Sequence, residues 1–348
     1  MIEQFLRQRG IPGASVAVAR DGRIVYARAY GTADPASGEP VQVDTRFRLA
    51  SISKVVTAAA VLRLVALGEL SLDEPVLARI GDRLPAPADP RLATVTARQL
   101  LHHTSGLPTS PDPFFNEAGN DFGPGGPQSC EEAARWLVGR HLRSEPGSSF
   151  SYSNGGFCLL SLLVEAVTGS PYEAAVRSLV LEPRGVSLLG LGRTTFTEPG
   201  DAAHPTADPL GPGVGYFMES LLGAGGLLGT PTDIVRVVDG LDPTRSGPGS
   251  AAPDRPALLD SAAFADLLTP GPSRWGLGVD VLGPGAYGHT GSLAGARAMT
   301  VHQADGTTWA ITVNAAFGNH GSVLGSVMGR AIAAVPAWPA WDLSPDLP

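Results

Sequence analysis

Lysine is all but missing from this chain of 348 residues: its 25 basic residues are 24 arginines and one lysine, Lys54. Arginine keeps its proton in any protein environment, whereas a desolvated lysine can give it up. A sequence that uses arginine almost everywhere and keeps one lysine marks that position as one where a titratable amine is needed. Survival by drift is the competing reading, and the neighbours of Lys54 bear on the choice. Cysteine is scarce too. Cys130 and Cys158 can pair or not; neither has a metal-ligand spacing, and both are read as packing residues. Long apolar runs are lacking: the longest, Val55 to Leu67, is broken by Arg63, and none reaches the ~18–20 residues of a bilayer span. Basic clusters are lacking as well. With a net charge of −8 and no patch of cations, the counterion release behind nucleic-acid binding has no source. The stretch Met1 to Gly10 carries Glu3, Arg7 and Arg9 and no apolar core of a secretory signal, so a cytoplasmic protein is expected, or a secreted one if a signal has been removed. No complete zinc set and no phosphate-cradling loop are seen, and no metal or organic cofactor is expected.

What is present is a foldable composition, 43% apolar and 17% charged, long enough for about two domains at ~150 residues each. Residues 2–9 predict a short amphipathic helix. Ala14 to Arg20 and Arg23 to Tyr30 predict strands joined by Asp21-Gly22, since a type I′ turn needs positive φ at both positions. At the far end, Trp275 to Leu282, Ala286 to Thr290, Ala296 to His302 and Thr308 to Asn314 predict strands, Asp305-Gly306 a turn, and Gly321 to Ala334 a helix. Pro336 to Pro348 reads as a tail, pinned by contacts or disordered. Helices are predicted between these ends over Ser51 to Leu67, Thr96 to Leu101, Cys130 to Leu142, Phe157 to Thr168, Pro171 to Val180 and Ile234 to Leu241, the last capped by Thr230. Segments 104–129 and 241–260 read as long loops. The expected fold is α/β: an antiparallel sheet flanked by N- and C-terminal helices, discontinuous over 1–50 and 265–348, plus a mainly helical domain over 51–264. The groove between them is the expected place for a site.

Three segments carry chemistry. Ser51-Ile52-Ser53-Lys54 opens the first long middle helix, where a spacing of three puts hydroxyl and amine on one face, about 5–6 Å apart at Cβ. Unsatisfied N–H groups and the helix dipole favour negative charge there, and a neutral amine can take the hydroxyl proton. Tyr152-Ser153-Asn154 places phenol and amide on one side of an extended stretch; a phenol can pass a proton and an amide can hold a carbonyl oxygen or the amine. His289-Thr290-Gly291-Ser292 ends a predicted strand whose glycine allows close backbone approach, and the N–H of Ser292 can join that of Ser51 as an oxyanion hole. Each alone also admits an ordinary role: a helix cap with a solvated lysine, a turn before a helix, a hydrogen-bonded structural histidine.

Together and in this order, the three resemble the serine β-lactamase and penicillin-binding-protein superfamily, marked by Ser-x-x-Lys, Tyr-x-Asn and Lys/His-Thr/Ser-Gly. The likeness is greatest to its branch of class C β-lactamases, D-alanyl-D-alanine carboxypeptidases, D-aminopeptidases and esterases. Phe47–Ala50, Gly68–Asp73, Leu100–Leu107 and Gly223–Leu227 are similar too, and the resemblance spans about residues 10 to 335. It implies a β-lactamase/transpeptidase-like fold and an acyl-enzyme on Ser51. Lys54 and Tyr152 would transfer protons, Asn154, His289, Thr290 and Gly291 would contact substrate, and the Ser51 and Ser292 N–H groups would form the oxyanion hole. His102 and His103 would be structural. His289 stands where class C β-lactamases have lysine; a neutral imidazole anchors a carboxylate less well, which argues against an efficient β-lactamase. The expected activity is hydrolysis of an ester or amide in a small-molecule or peptide acyl substrate. Transfer of the acyl group to an amine or alcohol is one alternative, and a non-catalytic scaffold another.

Overall fold

In the computed structural model of the chain the described residues are all but 116–121, 123–125, 194–197, 199, 205–217, 246–254, 344–346 and 348. The strands are β1 (Gly13–Arg20), β2 (Arg23–Asp34), β3 (Glu39–Pro40), β4 (Phe47–Arg48), β5 (Gly190–Leu191), β6 (Leu227–Gly229), β7 (Asp280–Gly283), β8 (Ala286–Leu293), β9 (Ala296–His302) and β10 (Thr307–Val313). Among the described residues they form a seven-stranded sheet, β3-β2-β1-β10-β9-β8-β7, and a small one, β4-β6-β5. All pairings in the large sheet are antiparallel. The two ends of the chain meet at its centre, where Ala14 to Arg20 of β1 pair with Val313 to Thr307 of β10.

The first hairpin follows from its turn residues: Asp21 and Gly22 hold φ of 51° and 83°, the pair of positive values a type I′ turn requires. Both central strands are covered on both faces. Side chains alternate, so Val16, Val18, Ile311 and Val313 join Phe5 and Leu6 of the helix Ile2–Arg9 and Leu324, Val327 and Met328 of the helix His320–Ala333. Ala17, Ala19 and Ala310 face the other way, into a core shared with Ile52, Val55, Val235 and Val238. That second core contains the helix Ser53–Ala66, buried on nearly all sides, and the helix Asn154–Thr168. Each fully buried Val, Leu or Ile contributes roughly 1.5–3 kcal/mol, and it is this packing that carries the less favourable backbone described below.

Several expectations change. Cys130 and Cys158 are bonded as a disulfide, not separate packing residues; the helices Cys130–Val138 and Asn154–Thr168 bring their Cα atoms within 5.6 Å. The expected strand Trp275 to Leu282 shrinks to Asp280–Gly283. Residues before it turn against the helices, where a Cβ at Gly276 would lie 2.1 Å from the Leu267 carbonyl oxygen and Gly278 holds φ of 80°. A helix not foreseen, Ser261–Leu268, is capped by the Asp260 carboxylate on the N–H of Ala263. The helix expected from Ser51 begins instead with a tight turn, Ala50–Ile52, before Ser53. The tail is tied to β2 by Leu343 N–H to Ile24 C=O at 2.9 Å and Ile24 N–H to the Asp342 carboxylate at 2.9 Å. Parts of 104–129 and 241–260, the segments read as long loops, lie outside the described residues. Among the described residues no helix is long and apolar enough to cross a membrane.

Candidate active site

Ser51 sits in the turn Ala50–Ile52, between β4 and the buried helix Ser53–Ala66. Ala50 is held at φ 50°, a left-handed value uncommon outside glycine. Three residues on, Lys54 has none of its surface exposed. Its Nζ lies 3.3 Å from Ser51 Oγ and 2.7 Å from Asn154 Oδ1, and it also donates to the carbonyl of Ala224. The amine stands 4.9 Å from the centre of the Tyr152 ring and 5.5 Å from that of Phe157. Desolvation lowers its pKa from 10.5 to about 7, opposed in part by the carboxylate of Asp112. The reading of Lys54 as a solvated surface group therefore does not apply to this fold.

Tyr152 precedes the helix Asn154–Thr168, which Ser153 caps through the N–H of Gly156. The phenol hydrogen-bonds the Ser51 hydroxyl, yet burial, the larger effect, pushes its pKa upward, so at neutral pH it is a phenol and not a phenolate. Asn154 faces both ways: its oxygen accepts from Lys54 and its Nδ2 donates to Asp112 Oδ2 at 2.8 Å. Hydroxyl, amine, phenol and amide thus lie in one hydrogen-bonded group.

His103 fixes the Tyr152 segment. Its ring packs 4.3 Å from the Tyr152 ring, its Nδ1 accepts the Ser153 N–H at 3.0 Å and its carbonyl accepts the Ser151 N–H at 2.7 Å. His102 Nδ1 is bound at 3.1 Å to the carbonyl of Trp275. The two neighbours in sequence are therefore committed to separate partners.

The third segment arrives on β8. The turn Ala294–Gly295 closes on the Leu293–Ala296 pair. In an antiparallel ladder alternate residues turn their N–H and C=O to opposite sides. His289, Gly291 and Leu293 bond toward β9, and Thr290 and Ser292 turn theirs away from it. β7 pairs with β8 only as far as Gly288, so Thr290 and Ser292 face past its end. Gly291 is where β8 touches the turn carrying Ser51: a Cβ there would lie 2.2 Å from the Leu49 carbonyl oxygen. The His289 imidazole is buried, with Nδ1 donating to the Thr290 carbonyl at 2.6 Å. Burial first, then the nearby Lys54, bring its pKa down to about 3, so the ring is neutral throughout the working range. Trp275 stands 5.1 Å from that ring, 5.6 Å from the Tyr152 ring and 5.9 Å from Phe150, walling the phenol with apolar surface.

Asp112 escaped the reading of the sequence. It lies in a segment read only as a long loop, and nothing in its spacing ties it to Asn154; only the folded chain brings the two together.

Known proteins resemble this chain over most of its length. The profile of the family described as Beta-lactamase matches residues 1–326. Esterase EstB of Burkholderia gladioli is 34% identical over 321 residues, which cover 82% of this chain and 76% of the esterase. Among solved structures, SurE with D-Leu superposes with a TM-score of 0.71 at 29% identity, over 98% of this chain and 75% of SurE. EstCE1, described as a hydrolase with promiscuous acyltransferase activity, gives 0.71 at 25% identity over 91% of this chain and 92% of its own.

Proposed function

This chain belongs to the beta-lactamase family, and from that membership we propose that it is a serine hydrolase that cleaves uncharged ester or amide bonds through an acyl-enzyme on Ser51. The observation that carries the reading is the bonding of Lys54. A neutral amine has two N–H donors and one lone pair. Asn154 Oδ1 and the Ala224 carbonyl take the donors, which leaves the lone pair for the Ser51 hydroxyl at 3.3 Å. With its pKa brought to about 7, the amine is neutral in a large share of molecules at physiological pH and remains basic enough to accept a proton.

In the proposed sequence Lys54 takes the Ser51 proton as Oγ attacks the substrate carbonyl. The N–H groups of Ser51 and Ser292 hold the resulting oxyanion. As the tetrahedral adduct collapses, the proton passes from Lys54 by way of the neutral Tyr152 phenol to the leaving alcohol or amine. Water then repeats the steps in reverse on the acyl-enzyme, returning acid and free Ser51. Asn154 orients the amine, and the free side of β8 at Thr290 to Ser292 receives the substrate. The neutral His289 and the carboxylate of Asp112 disfavour substrates with a carboxylate near the scissile bond, as β-lactams have. The esterase likeness supports ester substrates, and the acyltransferase activity described for EstCE1 supports a second reading, in which an alcohol or amine replaces water in the second step.

Incubation with a fluorophosphonate, followed by the mass of the intact protein, tests the assignment. One adduct that is absent from Ser51→Ala, with p-nitrophenyl ester hydrolysis lost in the same variant, is expected. Labelling elsewhere, or full activity of Ser51→Ala, would overturn it. Adding an alcohol or amine acceptor and analysing the products separates hydrolysis from transfer.

A further inference from the structure

The segment Gly223–Leu227 has no part in the steps above except for one carbonyl, that of Ala224, which holds Lys54. How that carbonyl is held in turn is set out by three hydroxyls, all buried. Thr57 Oγ1 lies 2.9 Å from the Gly223 oxygen, 2.7 Å from Tyr172 Oη and 3.1 Å from the Ser53 oxygen. Ser161 Oγ accepts the Gly223 N–H at 3.2 Å and donates to the Phe157 carbonyl at 2.9 Å. Donor counting orders the chain: at these contacts Ser53 and Gly223 offer only carbonyls, so Tyr172 donates to Thr57, whose one proton is shared between the two carbonyls with the Gly223 oxygen the nearer. Both polar groups of Gly223 are thereby pinned by side chains. There is no room for more, since a Cβ on Gly223 would lie 2.1 Å from Thr57 Oγ1, 2.6 Å from Tyr172 Oη and 2.7 Å from Ser161 Oγ. On either side the chain is held as well. Leu222 sits at φ 37°, ψ −125°, and the Leu227 N–H reaches Ser53 Oγ at 3.2 Å.

We infer that Thr57, backed by Tyr172 and Ser161, is a positioning residue that aims Lys54 by fixing the Gly223 peptide and, through it, the Ala224 carbonyl. The inference rests on the reading of Lys54 as the proton acceptor for Ser51. The hydroxyls also link the segments that touch the amine. Thr57 is three residues beyond Lys54 on one helix, and Ser161 is on the helix that begins at Asn154. Without the pin, the amine keeps its bond to Asn154 and loses its second fixed acceptor, so its lone pair is no longer confined to the direction of Ser51.

The test is made in the full chain with Thr57→Val, which keeps the shape and removes the hydroxyl, Thr57→Ser, which keeps the hydroxyl, and Tyr172→Phe. Turnover of p-nitrophenyl acetate is measured as kcat and KM separately, across pH, on protein shown to be folded by circular dichroism. Thr57→Val is expected to lower kcat about 10- to 100-fold, the range that a small misplacement of a reacting group costs, with KM little changed. Tyr172→Phe moves kcat the same way by less, and Thr57→Ser keeps most of it. In Thr57→Val the acid limb of the rate moves to lower pH, because an ammonium that loses a carbonyl acceptor gives up its proton more readily. Asp112, Tyr152, His103 and His289, which face the amine, are the same in every variant. Wild-type kcat and acid limb in folded Thr57→Val and Tyr172→Phe would overturn the inference, as would an equal loss in Thr57→Ser. If Thr57→Val does not fold, Tyr172→Phe decides by the same readouts. Activity retained in Ser51→Ala removes the underlying reading instead, so the two failures are distinct.

Discussion

Replacing Lys54 by methionine should change how stability depends on pH and leave the protein inactive. Methionine fills a similar volume without a charge. In the folded chain the amine is fully buried, and desolvation pushes its pKa from the ordinary 10.5 down to about 7; the difference amounts to about 5 kcal/mol disfavouring the charged form in the fold, and about 4 of these apply at pH 7. Against this, the substitution strands two acceptors, Asn154 Oδ1 and the Ala224 carbonyl, at roughly 1–3 kcal/mol each. At pH 7 the two effects nearly cancel, to within about 2 kcal/mol. The sharper test is the slope. Because the folded pKa is depressed, the unfolded chain binds more protons between pH 7 and 10.5. Wild-type stability attributable to this group therefore rises with pH across that window and is flat below it. Methionine has no such dependence, so the stability of the variant relative to wild type should fall by about 1.4 kcal/mol per pH unit above 7. Stranded acceptors contribute a constant offset, and the other titrating groups cancel in the difference. Urea unfolding of both proteins from pH 6 to 9.5, with the disulfide intact, measures this directly. A difference that stays constant over that range would show that the amine is not held in a desolvated site, and the catalytic reading would lose its base.

Three further outcomes follow from the same geometry. The kcat/KM for an activated ester should rise with pH through about 7 and then level off, as Lys54 loses its proton; Lys54→Arg should be nearly inactive at every pH, since guanidinium cannot serve as a base. Gly291→Ala should lower kcat/KM by about 100-fold or more while leaving the protein folded, because its Cβ would lie 2.2 Å from the Leu49 carbonyl oxygen and must push β8 away from Ser51; an unchanged rate would mean that β8 takes no part. Replacing Cys130 and Cys158 together by serine should cost about 3–4 kcal/mol in urea unfolding, the loop-closure value for a bond spanning 28 residues.

The parts of the fold legible in the sequence are those set by local chemistry. Asp21-Gly22 demands a particular turn whatever surrounds it, and the helix Ile2–Arg9 has an apolar stripe and a glycine to end it. The acyl-transfer segments were legible as patterns because chemistry fixes their residue types and short spacings. Contacts between distant stretches left no such mark. Nothing near Asp112 indicates that Asn154 will face it, 42 residues on. The strand expected from Trp275 gave way because Gly276 and Gly278 let the backbone approach Leu267 and Ala58, which is a tertiary preference. The cysteine pair was ambiguous for a related reason: with only two in the chain, pairing depends on whether two helices cross at the right height.

The conformations that cost energy are gathered around the reacting groups. Five non-glycine residues have positive φ among those described: Asp21, Ala50, His103, Leu222 and Asn319. Asp21 is in a hairpin turn and Asn319 precedes a helix, where such values are usual for these residue types. His103 follows the end of the helix Ala97–Leu101, where its N–H bonds the Leu100 carbonyl and that of Thr104 the Gln99 carbonyl, the usual left-handed helix ending. No such excuse is open to Ala50, which precedes Ser51, or to Leu222, which leads into the turn that offers its carbonyl to Lys54. Residues in such conformations cost of order 1–3 kcal/mol each and persist only where their surroundings leave no alternative. Here those surroundings are the buried helices Ser53–Ala66 and Asn154–Thr168 and the large sheet. Hydroxyl and amine are each approached by backbone held against its preference, and the amine is itself held against its preference for water. A sequence optimised for stability alone would relax all three, so their coincidence at one place is itself a physical argument that this is where the chain does its chemistry.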